Sequence, residues 1–576
     1  MRLGATTPQP RTRAAHQRAV RRRRMAALTI VGTALVALGL GVVYGATRQS
    51  ASEKTARAFT LAWERGDYGA MYEHLTDTAQ DRVKAAQFVK AYQNANDMAT
   101  IVRMVAGHPK DEGNGIVTVP MTVTTRIFGT VRQPLVLHTK DGKLAWSSNL
   151  VFPGVPHGAK LSRTTLAPER AKLEARGGKT IASGPADDRQ YPAGAVAQSI
   201  AGSIGQPATT DDREALFSRG FPPGTPVGLS GLERAFELQL AGQPGGKLTA
   251  GGKILAQAAP RPAAPLRTTI DLGIQAAAVS ALAGRFGGIA ALDARTGEVR
   301  ALAGVAFSAP QPPGSTFKLI TATAVLEAHA ASLGTQFPVA QQAVIDGVNL
   351  QNANGEFCGG TFAQSFAKSC NSVFAPLGVK VGANRLVHTA ERYGFNEQPS
   401  IPGALPSTIP APGSIGSELA LGSTAIGQGQ VLATPLELAS VAQTIASRGI
   451  RHRPTLTPGR PPGKPVRVTS RRIAKEMRTL MLGVVQYGTG VRAAIPGTTV
   501  AGKTGTAELE TTVPKPGQPP PPSESDEPPG SKTDAWFAGF APATHPKLAV
   551  CVMLVRAGAG GDTAAPAAAQ VLSAGL

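Results

Sequence analysis

Two serine–lysine pairs in this chain have the spacing for nucleophilic chemistry, Ser315-Thr-Phe-Lys318 and Ser365-Phe-Ala-Lys368. On a helix, positions i and i+3 share one face a turn apart. The amine can then take the proton of the hydroxyl without a His–Asp pair. The pattern alone arises by chance in a chain of this length, so context must separate the two. Ser315 follows Pro312-Pro313-Gly314 and opens the run Leu319-Ile-Thr-Ala-Thr-Ala-Val-Leu326, apolar on nearly every side. That pattern predicts a buried central helix whose N-terminus offers free N–H groups to an oxyanion; a plain N-cap serine is the alternative. Ser-x-Asn occurs at Ser147-Ser-Asn149 and at Ser369-Cys-Asn371, and Lys-Thr-Gly at Lys503-Thr504-Gly505. Only Ser315, then Ser369 with Asn371, then Lys503 places all three in order within one domain. With Ser365 as nucleophile, no chain would remain to build a separate wall of a cleft, and Ser365 is read as structural. Thr498-Thr-Val-Ala-Gly502 is β-branched and strand-like, so Lys503 is expected on a strand facing the helix. The scattered histidines lack ligand spacing, and the sequence calls for neither a metal nor a cofactor.

A chain of 576 residues is too long for one core, and at roughly 150 residues per domain it suggests three or four units. Residues 51–150 read as a small α+β domain. Apolar residues recur at helical spacing from Ala51 to Asn94, and Ile116–Thr124 and Pro134–Thr139 read as strands, with a turn at Asp141-Gly142-Lys143. Residues 153–250 are rich in Pro and Gly with weak periodicity, as expected of an irregular pedestal. Residues 265–576 have the pattern of a large globular domain. Arg295-Thr-Gly-Glu298 reads as a hairpin turn between Ile289–Asp293 and Val299–Ala303, and Ala535–Ala541 and Leu548–Val555 read as further strands. A Pro-rich insert at 512–532 separates two strands expected to be hairpin neighbours. It is expected to be disordered and to tune access to the cleft, a tolerated surface insertion being the alternative.

Eight of the arginines behind the formal net charge of +22 lie in the first 24 residues, with no acid among them. No basic cluster interleaved with aromatics follows, which argues against nucleic-acid binding. Residues 25–46 carry no charge. As a helix they would span about 33 Å, enough for the hydrocarbon core of a membrane. A cleaved signal peptide is the alternative, although its apolar region is normally about 7–15 residues. Arginines before the span place the tail 1–24 in the cytoplasm and the bulk of the chain outside. There, Cys358 and Cys370 can form a disulfide, two free buried thiols being the alternative, while Cys551 reads as a buried, unpaired strand residue.

The triplet Ser315-x-x-Lys318, Ser369-x-Asn371 and Lys503-Thr-Gly505 resembles the active-site set of penicillin-binding proteins and serine β-lactamases. Gly228-Leu-Ser-Gly-Leu-Glu-Arg234, Thr269-Ile-Asp-Leu-Gly-Ile-Gln275, Ala425-Ile-Gly-Gln-Gly429, Ala433-Thr-Pro-Leu436 and Trp536-Phe-Ala-Gly-Phe-Ala-Pro542 extend the resemblance to the class B penicillin-binding proteins. Ala58-Phe-Thr-Leu-Ala-Trp-Glu-Arg-Gly-Asp-Tyr68 resembles the N-terminal domain of the methicillin-resistance type. Where the family commonly shows Arg-Gly-x-Ile-x-Asp-Arg-Asn-Gly, this chain has only Arg176-Gly-Gly-Lys-Thr-Ile-Ala182.

The resemblance implies a multidomain fold: a single transmembrane helix, the α+β domain, a dimerisation-like pedestal, and a β-lactamase-like transpeptidase domain with an antiparallel sheet flanked by helices. It implies acyl transfer from peptidoglycan stem peptides through an ester on Ser315, and the binding of β-lactams. Lys318 would be the base, Ser369 a proton relay and Asn371 a holder of the substrate amide. Lys503 and Thr504, with Gly505 beside them, would take the terminal carboxylate, and the N–H groups of Ser315 and Thr506 would form the oxyanion hole. The cell membrane and a glycan-strand polymerase are the further partners it implies. A carboxypeptidase or β-lactamase, which passes the acyl group to water, is one alternative. A catalytically silent β-lactam sensor or division scaffold is another, though residues 1–24 are too few for a cytoplasmic signalling domain.

Overall fold

The computed structural model describes residues 49–459, 462–509 and 532–576. The basic tail, the predicted span at 25–46 and the Pro-rich insert up to residue 531 lie outside the described residues. Among the described residues no helix is long and apolar enough to cross a membrane. The chain divides into two compact units. The first runs up to Ala167 and takes in Arg213–Pro223 and Pro244–Pro260; the second holds Pro168–Asp212, Gly224–Gln243 and Arg261–Leu576.

In the first unit, helix α1 (Ala51–Glu64) starts in a capping box in which Ser50 and Glu53 satisfy each other's backbone N–H. Helix α2 (Ala85–Ala99) contributes Phe88 and Tyr92 to a core they share with Phe59 and Trp63. The antiparallel sheet beside them runs β1 (Ile101–Ala106), β2 (Ile116–Thr125), β3 (Thr130–Lys140) and β4 (Lys143–Ala145), with strand Lys110–Gly113 also paired to β2. In β2, Val117, Val119, Met121 and Val123 are buried in alternation, the period-two pattern that identifies this strand in the sequence. Pro120 stands opposite Pro134, and Pro120 O accepts from Gly107 N at 2.7 Å.

Residues 153–250 form only short elements, among them strands Leu161–Leu166 and Gly245–Ala250, paired antiparallel in the first unit. In the second unit, Glu233 is fully buried and held by two arginines: Arg170 Nε at 2.7 Å and Arg189 Nε at 2.9 Å. Removing Glu233 would leave the buried Arg189 with no carboxylate partner among the described residues, whereas Arg170 would keep Glu237.

The second unit is built on a five-stranded antiparallel sheet. Its strands are β5 (Gly287–Asp293), β6 (Val299–Gly304), β7 (Ala501–Glu508), β8 (Thr533–Ala541) and β9 (Leu548–Leu554), in the order β6-β5-β9-β8-β7. Both faces are covered, which is why its strands are apolar at nearly every position. Val550, Val552 and Leu554 of β9 join a core with helices α3 (Leu272–Leu282) and α9 (Ala564–Ala574). Ala549, Cys551 and Met553, one residue out of phase, join the larger core on the other face. There lies α4 (Lys318–Glu327), in which every residue from Lys318 to Leu326 is buried. Around it stand α5 (Phe362–Ala367), α6 (Asn371–Val381), α7 (Pro435–Ala446) and α8 (Arg471–Gln486). The hairpin turn at Arg295–Glu298 and the pairing of β7 with β8 across the insert follow the sequence expectation. Cys358 and Cys370 form a disulfide with a Cα–Cα distance of 5.4 Å, and Cys551 is free and buried.

Candidate active site

Ser315 sits in a one-turn 3₁₀ helix, Gly314–Phe317, that leads directly into α4. Its hydroxyl has no hydrogen-bond partner among the described residues, and the residue is partly exposed. The turn is fixed from behind: Gly314 N donates to Gly427 O at 2.9 Å, and Thr316 Oγ1 donates to Pro313 O at 2.6 Å. Gly427 has φ +79°, and a Cβ there would lie 2.0 Å from Gly314 O. Only glycine lets these two backbones approach so closely.

Lys318 is fully buried on the first turn of α4. Its Nζ reaches Ser369 O at 2.7 Å, Ser369 Oγ at 3.3 Å and Asn371 Oδ1 at 2.6 Å. Lys503, also fully buried, comes from β7; its Nζ donates to Ser369 Oγ at 2.8 Å and to Thr504 O at 3.0 Å. The two Nζ atoms lie over the rings of Phe374 and Phe366, at 5.6 and 5.7 Å from the centroids. Burial brings Lys503 down to about 7. Burial, and then the positive charge of Lys503, hold Lys318 well below the usual lysine range. Among the described residues no carboxylate enters this set of contacts to offset that shift.

Proton counting follows from these partners. A neutral Lys318 has two N–H donors and one lone pair. Ser369 O and Asn371 Oδ1 can only accept, so they take the two donors, and the lone pair is left for a hydroxyl. Ser369 Oγ already accepts from Lys503, which frees its own O–H to point at Lys318. Ser369 is thus a hydroxyl held between two amines, the arrangement of a proton relay.

Ser369 is held in a left-handed backbone conformation, φ 64°, strained for a residue with a Cβ. Cys370 N bonds Ser365 O at 2.9 Å, and the disulfide ties Cys370 to the strand Cys358–Thr361, so both flanks are fixed. Asn371 is engaged at both ends, accepting from Lys318 and donating from Nδ2 to Gln351 O at 2.8 Å. In this state its amide orients Lys318.

Adjacent residues of a strand point to opposite faces. Lys503 therefore faces Ser369, while Thr504 and Thr506 share the other face of β7. Thr504 Oγ1 bonds Thr489 Oγ1, and Thr506 Oγ1 accepts from Gly560 N at 3.3 Å. Thr489 N also donates to Ala367 O at 3.1 Å, joining β7 to the end of α5. Sequence reasoning passed over Thr489; the signal available was Tyr487-Gly-Thr-Gly490, a glycine-flanked threonine just past α8. Ser365 is buried and its Oγ has no partner, and Ser147, in the first unit, bonds its own Asn149 at 2.5 Å. Neither second copy of a motif joins the cluster around Ser369. No group of His, Cys, Asp and Glu among the described residues could hold a metal.

Three family models match the chain: a penicillin-binding protein transpeptidase domain over residues 287–573, a penicillin-binding protein dimerisation domain over 157–263, and an NTF2-like N-terminal transpeptidase domain over 51–158. The peptidoglycan D,D-transpeptidase PbpA of Mycobacterium tuberculosis is 36% identical over 295 residues, which are 47% of this chain and 56% of that protein. The penicillin-binding protein PbpB of Mycolicibacterium smegmatis is 28% identical over 333 residues, 49% of this chain and 48% of the relative. The alignments thus span about half the length of the curated relatives. Among solved structures, a D,D-transpeptidase domain from Eggerthella lenta matches with TM-score 0.56 and 28% identity, over 70% of this chain and 97% of its own. The penicillin G acyl-enzyme complex of penicillin-binding protein A from M. tuberculosis matches with TM-score 0.55 and 26% identity, over 70% and 99%.

Proposed function

The chain belongs to the class B penicillin-binding proteins, and from that premise we propose that it is a peptidoglycan D,D-transpeptidase acting through an acyl-enzyme on Ser315. The observation that carries this reading is the convergence of two buried lysines on Ser369, one of them a single helical turn after Ser315, whose hydroxyl has no hydrogen-bond partner among the described residues. Ser315 Oγ attacks the penultimate carbonyl carbon of a D-Ala-D-Ala terminus, and its proton goes to neutral Lys318. Lys318 Nζ loses its Ser369 O–H contact as it takes that proton, and the relay through Ser369 delivers a proton to the leaving nitrogen. The C–N bond breaks and D-alanine departs. The amine of a neighbouring stem peptide then attacks the ester, and its proton returns along the same path to Ser315.

The carboxylate of the donor meets the hydroxyls of Thr504 and Thr506, and the nearby charge of Lys503 attracts it. The developing oxyanion takes the N–H groups of Ser315 and Thr506, each such donor being worth about 10²–10³ in rate. A lysine held below its usual range can accept a proton, so the burial of Lys318 supports its role as the base. A β-lactam presents the same carbonyl and carboxylate and leaves a slowly hydrolysed ester. Residues 25–46 anchor the chain in the cell membrane, with 1–24 in the cytoplasm and the catalytic unit outside, where a glycan-strand polymerase supplies the strands to be joined.

Fluorescent penicillin added to the full-length chain should label Ser315 and be lost in Ser315→Ala, while Ser365→Ala retains it. A purified stem pentapeptide with an amine acceptor should release one D-alanine per cross-link formed. Labelling that survives in Ser315→Ala overturns the assignment, and D-alanine release without cross-links would make the enzyme a carboxypeptidase.

A further inference from the structure

In the second unit, the C-terminal end of α7, the first turns of α8, the β5–β6 turn and the loop between β8 and β9 line an open cleft of about 750 Å³, in which all the cations but Arg478 are exposed. Six cationic side chains line it: Arg295, Arg448, Arg471, Lys475, Arg478 and Lys547. Among the described residues no Asp or Glu lines it, and none of the six pairs with an Asp or Glu side chain. The nearest acids in sequence are taken elsewhere. Asp293 and Glu298 pair with Arg300, and Glu476 pairs with Arg472. His452 and His545 add two more nitrogen ligands to the wall, and Ile445, Ala446, Ala474 and Pro546 form apolar patches between the charges. Ser315, Ser369 and Lys503 are not part of it.

Two features mark this as more than a basic surface. Arg478 Nη1 donates to Ala543 O at 3.5 Å, so this guanidinium is tied to the backbone, and Lys547 Nζ donates to an oxygen of Leu576 at 2.6 Å. Arg295, Arg448, Arg471 and Lys475 make no side-chain hydrogen bond among the described residues, and their donors are free for a ligand. The placement also works against folding. Arg471, Lys475 and Arg478 lie on one face of α8, where like charges four residues apart repel. Arg471 is the first residue of that helix, the end whose dipole favours anions and disfavours cations. An anion in the cleft would relieve both penalties at once.

We propose that this cleft is a binding site for a compact ligand carrying two or more phosphate groups. Guanidinium groups grip phosphate oxygens in pairs, and four arginines around one space suit closely spaced phosphates better than a lone carboxylate. The volume falls within the roughly 300–1,000 Å³ of small-ligand sites, which leaves room for an attached apolar or sugar group on the apolar patches. The site is independent of the serine chemistry.

Inorganic pyrophosphate titrated into the full-length chain in non-ionic detergent, at fixed ionic strength, tests this by calorimetry and by thermal shift. Pyrophosphate should bind and raise the melting temperature, with orthophosphate weaker by about tenfold or more because it offers half the contacts. The double variants Arg448→Gln/Arg478→Gln and Arg295→Gln/Lys475→Gln should each weaken pyrophosphate by about tenfold or more, and should melt no lower than the unaltered chain when ligand-free. The exposed pair Arg103→Gln/Lys253→Gln, far in sequence from the cleft, is the charge-matched control and should leave binding unchanged. Equal weakening by the control means only general charge attraction and overturns the proposal. So does pyrophosphate binding no tighter than orthophosphate, or binding confined to a long glycerol-phosphate polymer.

Discussion

Lys503 Nζ lies 2.8 Å from Ser369 Oγ, a contact between residues 134 apart in the chain. Lys318 reaches the same oxygen at 3.3 Å. One hydroxyl is therefore shared by two buried amines, and the charge of either one disfavours the charge of the other. Burial first, and then the charge of Lys503, hold Lys318 below the usual lysine range, toward the basic form that the mechanism requires.

The pH dependence of penicillin acylation should show this coupling. The rising limb reports the loss of a proton from Lys318 and should lie well below the usual lysine range. In Lys503→Gln the neighbouring cation is gone, so Lys318 holds its proton more tightly and the limb moves to higher pH. Acylation rates measured across pH for both chains decide it. A limb that stays in place would mean that Lys318 is not the titrating base.

Stability should respond to the same group. The folded chain holds Lys503 at about 7 against an ordinary value of 10.5. Between those values the unfolded chain binds more protons than the folded one, so the contribution of this group to stability rises with pH across the window. Lys503→Met removes the titration. The melting temperature of the unaltered chain should climb more steeply from pH 7 to 10.5 than that of the variant, and parallel curves would refute the linkage.

The disulfide is expected to act on Ser369 through Cys370. Counting thiols in the denatured, unreduced chain should give one, from Cys551, because Cys358 and Cys370 are joined. Cys370→Ser opens a loop whose closure is worth about 3 kcal/mol in the chain-entropy account. It also releases one flank of the left-handed Ser369, so acylation should slow several-fold beyond the loss of stability. A variant that melts lower but acylates at the original rate would confine the bridge to a structural role.

Much of this site was legible in the chain because its parts announce themselves locally. The all-apolar run after Ser315 marks a buried helix, and the strand character before Lys503 marks the wall that carries it. The alternation in β2 and the continuous apolar β9 likewise distinguish a sheet exposed on one face from one covered on both. What stayed hidden depends on contacts between distant residues. Nothing near Glu233 signals Arg170 and Arg189, which are 63 and 44 residues away. Strand β1 exposes both Val102 and Val105 and so carries no period-two pattern. The bond from Lys318 to Asn371 needs the left-handed turn at Ser369, a conformation that no composition rule assigns to serine.

The glycines of Ala425-Ile-Gly-Gln-Gly429 allow the support of the nucleophile to be tested with a matched pair. Gly427 and Gly429 both have positive φ, +79° and +74°. Alanine at either position therefore meets similar backbone strain, about 1–2 kcal/mol for a left-handed residue with a Cβ. Their surroundings differ. A Cβ at Gly427 would lie 2.0 Å from Gly314 O and 2.8 Å from Phe317 Cβ, whereas at Gly429 nothing lies within 4 Å. Gly314 O belongs to the residue just before Ser315, so the clash at 427 must displace the turn that presents the nucleophile. Gly429→Ala should lower the melting temperature modestly and leave penicillin acylation near its original rate. Gly427→Ala should lower the melting temperature further and slow acylation by tenfold or more, roughly the loss that a displacement of about 1 Å at a reacting group produces. Equal effects of the two substitutions would show that strain alone matters here, and that the contact between Gly427 and Gly314 does not position Ser315.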